Sequence, residues 1–122
     1  MDVAELGLGE PIEIAELRIE PRQVEAFVDG SPAKLTVTEF KLLYLLASEL
    51  GRPVTRDELI ERIWGRRVGY RDRRIDVFVQ RLRKKLDAAG ATNTFVQTHI
   101  GVGYRFEPEP RKQGASTVGL TG

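Results

Sequence analysis

The spacing of apolar positions along this chain changes character twice. From Ile12 to Leu35 it is close to two. Ile12 and Ile14 alternate with acids, Leu17 and Ile19 with Arg18 and Glu20, and Val24, Ala26 and Val28 with Glu25 and Phe27. Such alternation marks short strands with one buried face. Pro21-Arg22 and Asp29-Gly30 supply turns, and the return strand is expected at Ala33 to Leu35. This segment reads as a small antiparallel sheet whose task is packing.

At Thr36 the period lengthens to that of a helix. Thr36-Val37-Thr38-Glu39 is a capping box, with Leu35 and Phe40 as its hydrophobic staple. Phe40, Leu43, Leu46, Ala47 and Leu50 form the expected buried face, widened by Leu42 and Leu45. Gly51 and Pro53 stop the helix. Thr55-Arg56-Asp57-Glu58 repeats the device, stapled by Val54 and Leu59. Leu59, Ile60, Ile63 and Trp64 supply that helix's apolar face, and Gly65 ends it. Trp64 is expected in the core.

The third helical stretch, Arg73 to Leu86, has two faces of opposite character. On a helical wheel Ile75, Val79, Leu82 and Leu86 fall within about 60° of one another, which makes a core stripe. Arg73, Lys84, Val77, Arg81, Arg74 and Lys85 share an arc of about 120° on the far side, with no acid among them. Asp76 lies on the flank, towards Arg83. Asp72 is the expected N-cap, and the end is expected near Ala89-Gly90. After a short connection, Phe95 to Ile100 and Tyr104 to Glu107 flank Gly101-Val102-Gly103 and read as a β-hairpin. The domain is thus expected over residues 12–107. A flexible segment (1–11) should precede it, and a disordered tail (108–122) rich in Pro, Gly, Ser and Thr should follow.

Charge sharpens this picture. The formal net charge is only +1, but it is segregated. Residues 1–61 carry 6 basic and 13 acidic side chains, whereas residues 62–85 carry 10 basic and 2 acidic. A positive field concentrated around one amphipathic helix points to a polyanionic partner. A sheet, two helices, a basic helix and a hairpin then make an α+β winged helix-turn-helix. Its third helix suits the major groove of double-stranded DNA, and its hairpin is the wing. Arg can grip a guanine edge through two hydrogen bonds, and Val77 can meet a thymine methyl.

Other chemistry finds little foothold. With no Cys, the chain has no disulfide, thiolate metal site or Cys nucleophile. Its one histidine, His99, has no relation in sequence to Ser31, Ser48 or Ser116 that would make a nucleophilic site. Asp57 and Glu58 lie in a helix first turn, where carboxylates favour the dipole. Gly101 and Gly103 precede no helix and so form no phosphate cradle. We therefore expect no enzyme and no cofactor. No apolar run is long enough to span a membrane, and the acidic N-terminal segment lacks the basic start of a signal peptide. The expected location is the cytoplasm.

Three stretches, LTVTEFKLLYLLASELGRPVTRDELIERIWG, DRRIDVFVQRLRKKL and VQTHIGVGYRFE, resemble the effector domain of OmpR/PhoB-type bacterial response regulators. The markers LTxxEFxLL, VTRxELxxxIWG, DxxxxxLRKKL (Asp76 to Leu86) and GxGYRF occur in order across residues 12–107. The resemblance implies an N-terminal four-stranded sheet, three helices and a C-terminal hairpin, in a transcription regulator of a two-component system. It implies a third helix that reads DNA, usually as two copies bound head to tail on direct repeats. On matching positions, Arg74, Val77 and Arg81 approach bases. Arg73, Arg83 and Lys84 serve phosphates, Lys85 lies on the same ridge, and Arg105 and His99 are wing candidates for backbone contact. The loop Gly65 to Arg71, with Arg66, Arg67, Val68, Tyr70 and Arg71, resembles the family's transactivation loop, which implies RNA polymerase as a partner. An N-terminal receiver domain is a further implied partner. It is absent from this sequence, which leaves an excised domain and a receiverless regulator as readings.

Two positions depart from the family pattern. Ile100 stands where members often place an Arg that enters the minor groove. Phe78 stands where some members have a phosphate-binding His, and here it is expected to pack at the core edge. The alternative to DNA binding is a winged-helix module that docks a receiver domain or polymerase, which Ile100 and the modest pI favour.

Overall fold

The computed structural model of this protein describes residues 9–65 and 74–111. Four strands, β1 (Ile12–Ile14), β2 (Leu17–Glu20), β3 (Glu25–Val28) and β4 (Ser31–Pro32), pair antiparallel in chain order. Leu17 sits opposite Val28 and Ile19 opposite Ala26, so all four project to one face, and each is at most 1% exposed. That face is the sheet's contribution to the core.

Two details of the expected sheet are corrected. Val24 is not a strand residue: it follows a 3₁₀ turn at Pro21–Gln23 and takes a left-handed φ of 50°. The return strand is Ser31–Pro32 rather than Ala33 to Leu35. There the Glu25 carboxylate accepts the Lys34 and Leu35 N–H groups at 3.0 and 3.2 Å. A side chain thus satisfies backbone donors that a longer ladder would have used.

Helices α1 (Val37–Ser48), α2 (Arg56–Trp64) and α3 (Arg74–Ala88) follow. The first capping box is complete. Glu39 N–H donates to Thr36 Oγ1 at 3.2 Å, and Thr36 N–H to Glu39 Oε1 at 2.8 Å. The second is half formed. Thr55 Oγ1 accepts from Glu58 N–H, but the Glu58 carboxylate takes Arg52 Nη2 at 3.0 Å instead of turning back to Thr55. Leu50 does not join the buried face, because α1 ends at Ser48 and leaves it 56% exposed.

In α3 the expected stripe is the observed one. Ile75, Val79, Leu82 and Leu86 are all at most 3% exposed. The helix closes in a Schellman arrangement. Ala91 N–H reaches Leu86 O at 3.1 Å, and Gly90 N–H reaches Asp87 O at 3.0 Å. Gly90 adopts φ +109°, which a side chain would strain.

The wing is the hairpin β6 (Asn93–His99) and β7 (Gly103–Pro110). A two-residue strand that the hydrophobic pattern did not signal, β5 (Val54–Thr55), adds to β7 and gives the order β5-β7-β6. The wing base is therefore hydrogen-bonded to the residues that start α2. Contact there is so close that a Cβ on Gly103 would lie 2.1 Å from the Val54 carbonyl oxygen. Because β7 runs to Pro110, residues 108–110 belong to the wing and not to a tail. Residues 1–8 and 112–122, where flexibility was expected, lie outside the described residues. Among the described residues no helix is long and apolar enough to cross a membrane.

Candidate nucleic-acid interface

With one side of α3 sealed into the core, its opposite side is set by geometry. Arg74, Val77, Arg81 and Lys84 are exposed, Val77 at 46%. These positions step by three or four residues and so form one ridge. Its N-terminal cations sit against rings. Arg74 Cζ lies 4.7 Å from the Trp64 ring centre, and Arg81 Cζ lies 5.4 Å from that of Phe78. Trp64 and Phe78 are half-buried and packed on the core, with centroids 5.8 Å apart. Trp64 is thus a core-edge residue rather than a fully buried one, and Phe78 packs at the core edge as expected.

Both flanks of the ridge are tied to the scaffold. Lys85 turns towards α1, where its Nζ pairs with Glu39 Oε1 at 2.7 Å. Glu39 is 2% exposed. Burial acts to raise its pKa, but the hydrogen bonds from Lys85 and Thr36 prevail and hold it below the usual carboxylate value. Lys85 therefore neutralises a buried acid, and withdrawing it would strand that charge.

Arg83 turns the other way, towards the wing. Its Nε and Nη2 donate to Val96 O at 3.1 and 2.8 Å, and Nη2 also donates to Thr98 Oγ1 at 2.9 Å. Three N–H groups of this arginine brace β6, so within the fold it acts as a helix-to-wing strut. Burial lowers its pKa from the ordinary arginine value.

Asp76, in the first turn of α3, ties the same flank down. Its Oδ1 accepts from Arg56 Nε at 2.8 Å and from the Tyr104 hydroxyl. Tyr104 lies between two guanidinium groups, Arg56 at 5.2 Å and Arg83 at 5.8 Å from its ring centre. Burial, then the hydrogen bond it donates to Asp76, raises its pKa. This node joins α2, α3 and β7. Sequence reasoning missed it, although an acid among so many basic residues was a signal that it had a partner.

In the wing, Arg105 lies against two acids, 3.1 Å from Glu107 Oε1 and 3.3 Å from Glu109 Oε2. Both carboxylates belong to β7, so the charge of Arg105 is balanced within its own strand. His99 is half-buried opposite Gly103. Ile100 at the turn is 91% exposed, with Val102 beside it at 39%. The candidates Arg73, Arg66, Arg67, Val68, Tyr70 and Arg71, and the Asp72 cap, lie outside the described residues.

A second anchor holds the sheet against the connection that feeds the wing. The Glu16 carboxylate accepts from Thr92 N–H at 2.7 Å, Thr92 Oγ1 at 2.9 Å, Asn93 N–H at 2.8 Å and Asn93 Nδ2 at 2.6 Å. Burial opposes its ionisation, but these donors and its own backbone N–H prevail, and its pKa falls from 4.5 to about 2.

Comparison with known proteins agrees with this geometry. A family model described as "Transcriptional regulatory protein, C terminal" matches residues 30–106. The chain is 38% identical over 96 residues to the phosphate regulon transcriptional regulatory protein PhoB of Pseudomonas aeruginosa, covering 79% of this chain and 41% of that protein. The chain spans less than half the length of the PhoB proteins it matches here. Among solved structures, the DNA-binding domain of CpxR from E. coli superposes with a TM-score of 0.73 at 37% identity, covering 80% of this chain and 96% of that one. The RstA DNA-binding domain of Klebsiella pneumoniae, in complex with the RstA box, gives 0.72 at 31% identity, covering 83% and 100%.

Proposed function

Since this chain belongs to the OmpR/PhoB family of transcriptional regulatory proteins, as its C-terminal winged-helix domain, we propose that it binds double-stranded DNA sequence-specifically as a bacterial transcription regulator. The ridge Arg74, Val77, Arg81 and Lys84, exposed while the opposite stripe of α3 is buried, carries this reading. Arg74 and Arg81 grip base edges, Val77 meets a thymine methyl, and Lys84 with Arg73 takes phosphates. Two copies occupy direct repeats head to tail. The loop from Gly65 to Arg71 meets RNA polymerase, and a receiver domain controls the whole.

Titration of duplex DNA at several salt concentrations tests the reading. The two phosphate contacts per protomer give a log–log slope of about −2. Affinity independent of salt would contradict it.

The second reading, a protein-docking winged helix, is favoured by one observation. The wing tip presents Ile100, 91% exposed, in place of a cation. It requires that no duplex be bound above the non-specific level.

A further inference from the structure

Arg74, Phe78 and Arg81 occupy positions i, i+4 and i+7 of α3 and so share one side of it. Trp64, the last residue of α2, meets the same side, its ring 5.8 Å from Phe78 and tilted by 49°. With Arg74 4.7 Å from the Trp64 ring and Arg81 5.4 Å from the Phe78 ring, the four side chains form a ladder along the edge of the ridge. Both rings are packed on the core, so the ladder has a fixed support. A free arginine has many rotamers, and ordering it on a ligand costs affinity. A ring beneath the guanidinium attracts it through the π-face and takes none of its N–H donors.

We propose that Trp64 and Phe78 are specificity-determining positioning residues, which hold Arg74 and Arg81 ordered for the two-hydrogen-bond grip on guanine before DNA arrives. This rests on the DNA-binding reading above. The aromatic support adds no phosphate contact. Its effect therefore belongs to base discrimination and not to salt-dependent affinity.

The test uses the whole chain and a preferred duplex selected from a random pool, paired with the same duplex carrying adenine for the contacted guanine. Phe78→Leu keeps apolar bulk and removes the π-face. It is expected to weaken the preferred duplex about three- to fivefold, the worth of one cation–π contact. The substituted duplex and the salt slope should stay unchanged. Phe78→Tyr should restore wild-type discrimination, and in an Arg81→Ala background Phe78→Leu should have no further effect. Trp64→Leu, acting through Arg74, gives an independent arm should Phe78→Leu fold poorly by thermal melting. Equal weakening of both duplexes, or full discrimination retained in the leucine variants, would overturn the proposal. A wild-type chain that selects no sequence would overturn the DNA-binding reading on which it stands.

Discussion

Arg83 on α3 donates two hydrogen bonds to the carbonyl oxygen of Val96 on β6, from Nε at 3.1 Å and Nη2 at 2.8 Å. The contact joins the helix that presents the basic ridge to the wing beside it. Arg83 stands in the most basic part of the sequence, yet the fold uses it internally.

Arg83→Ala is therefore expected to lower stability by about 1–3 kcal/mol, the worth of hydrogen bonds to a charged group and the carbonyl left unpaired. It should weaken DNA binding alike on every sequence and leave the salt slope unchanged. Thermal melting and duplex titration at several salt concentrations check both. A slope shallower by about 0.9 would show that Arg83 releases a counterion and contacts phosphate after all.

Arg81 and Lys84 are expected to separate cleanly. Arg81→Ala removes a base contact and should cost about 1–3 kcal/mol on the preferred duplex, with relaxed preference at one position. Lys84→Ala removes a phosphate contact, so it should weaken all duplexes together and flatten the salt slope by about 0.9. Binding curves on matched and mismatched duplexes decide the assignment.

Glu16 makes acid stability a test of the sheet-to-wing anchor. Its folded pKa of about 2 lies below the ordinary 4.5, so the unfolded chain binds the proton more readily in that interval. Its contribution is fully present above pH 4.5 and is lost as pH falls towards 2. Glu39 acts in the same direction. Glu16→Gln should lower Tm at neutral pH and flatten the fall of Tm between those two values. Melting curves across the acid range read this, and an unaltered pH profile would remove Glu16 from the anchor.

The two helix caps differ in what they hold. Thr55→Ala removes one hydrogen bond at the start of α2 and should cost about 1 kcal/mol. Thr36→Ala should cost more, towards about 2 kcal/mol, because Thr36 Oγ1 closes the capping box around a buried carboxylate that also binds Lys85. Chemical denaturation of the two variants ranks them, and equal losses would show that the Glu39 network holds without the hydroxyl.

What was legible in the sequence was local or periodic. The stripe Ile75, Val79, Leu82, Leu86 follows from helical spacing, and all four residues are buried. Thr36 and Glu39 are three residues apart, so their box could be read directly. Side-chain partners across the fold were not legible. Lys85 and Glu39 are 46 residues apart, and only the docking of α3 on α1 brings them together. Arg83 and Val96 meet because β6 folds back along α3. A helical wheel counts every cation far from the core as available, whereas the flanks of a packed helix face neighbours. Strand β5 is two residues long, too short for any period, and is held by register with Tyr104 and Gly103.

Selection of bound sequences from a random duplex pool tests the central claim most directly, since it requires the exposed ridge of α3 to read bases. The account predicts enrichment of a short guanine-containing motif in direct repeat, abolished by Val77→Glu in a chain that melts like the wild type. A folded wild-type chain that enriches no motif, or a Val77→Glu chain that enriches the same one, would contradict it.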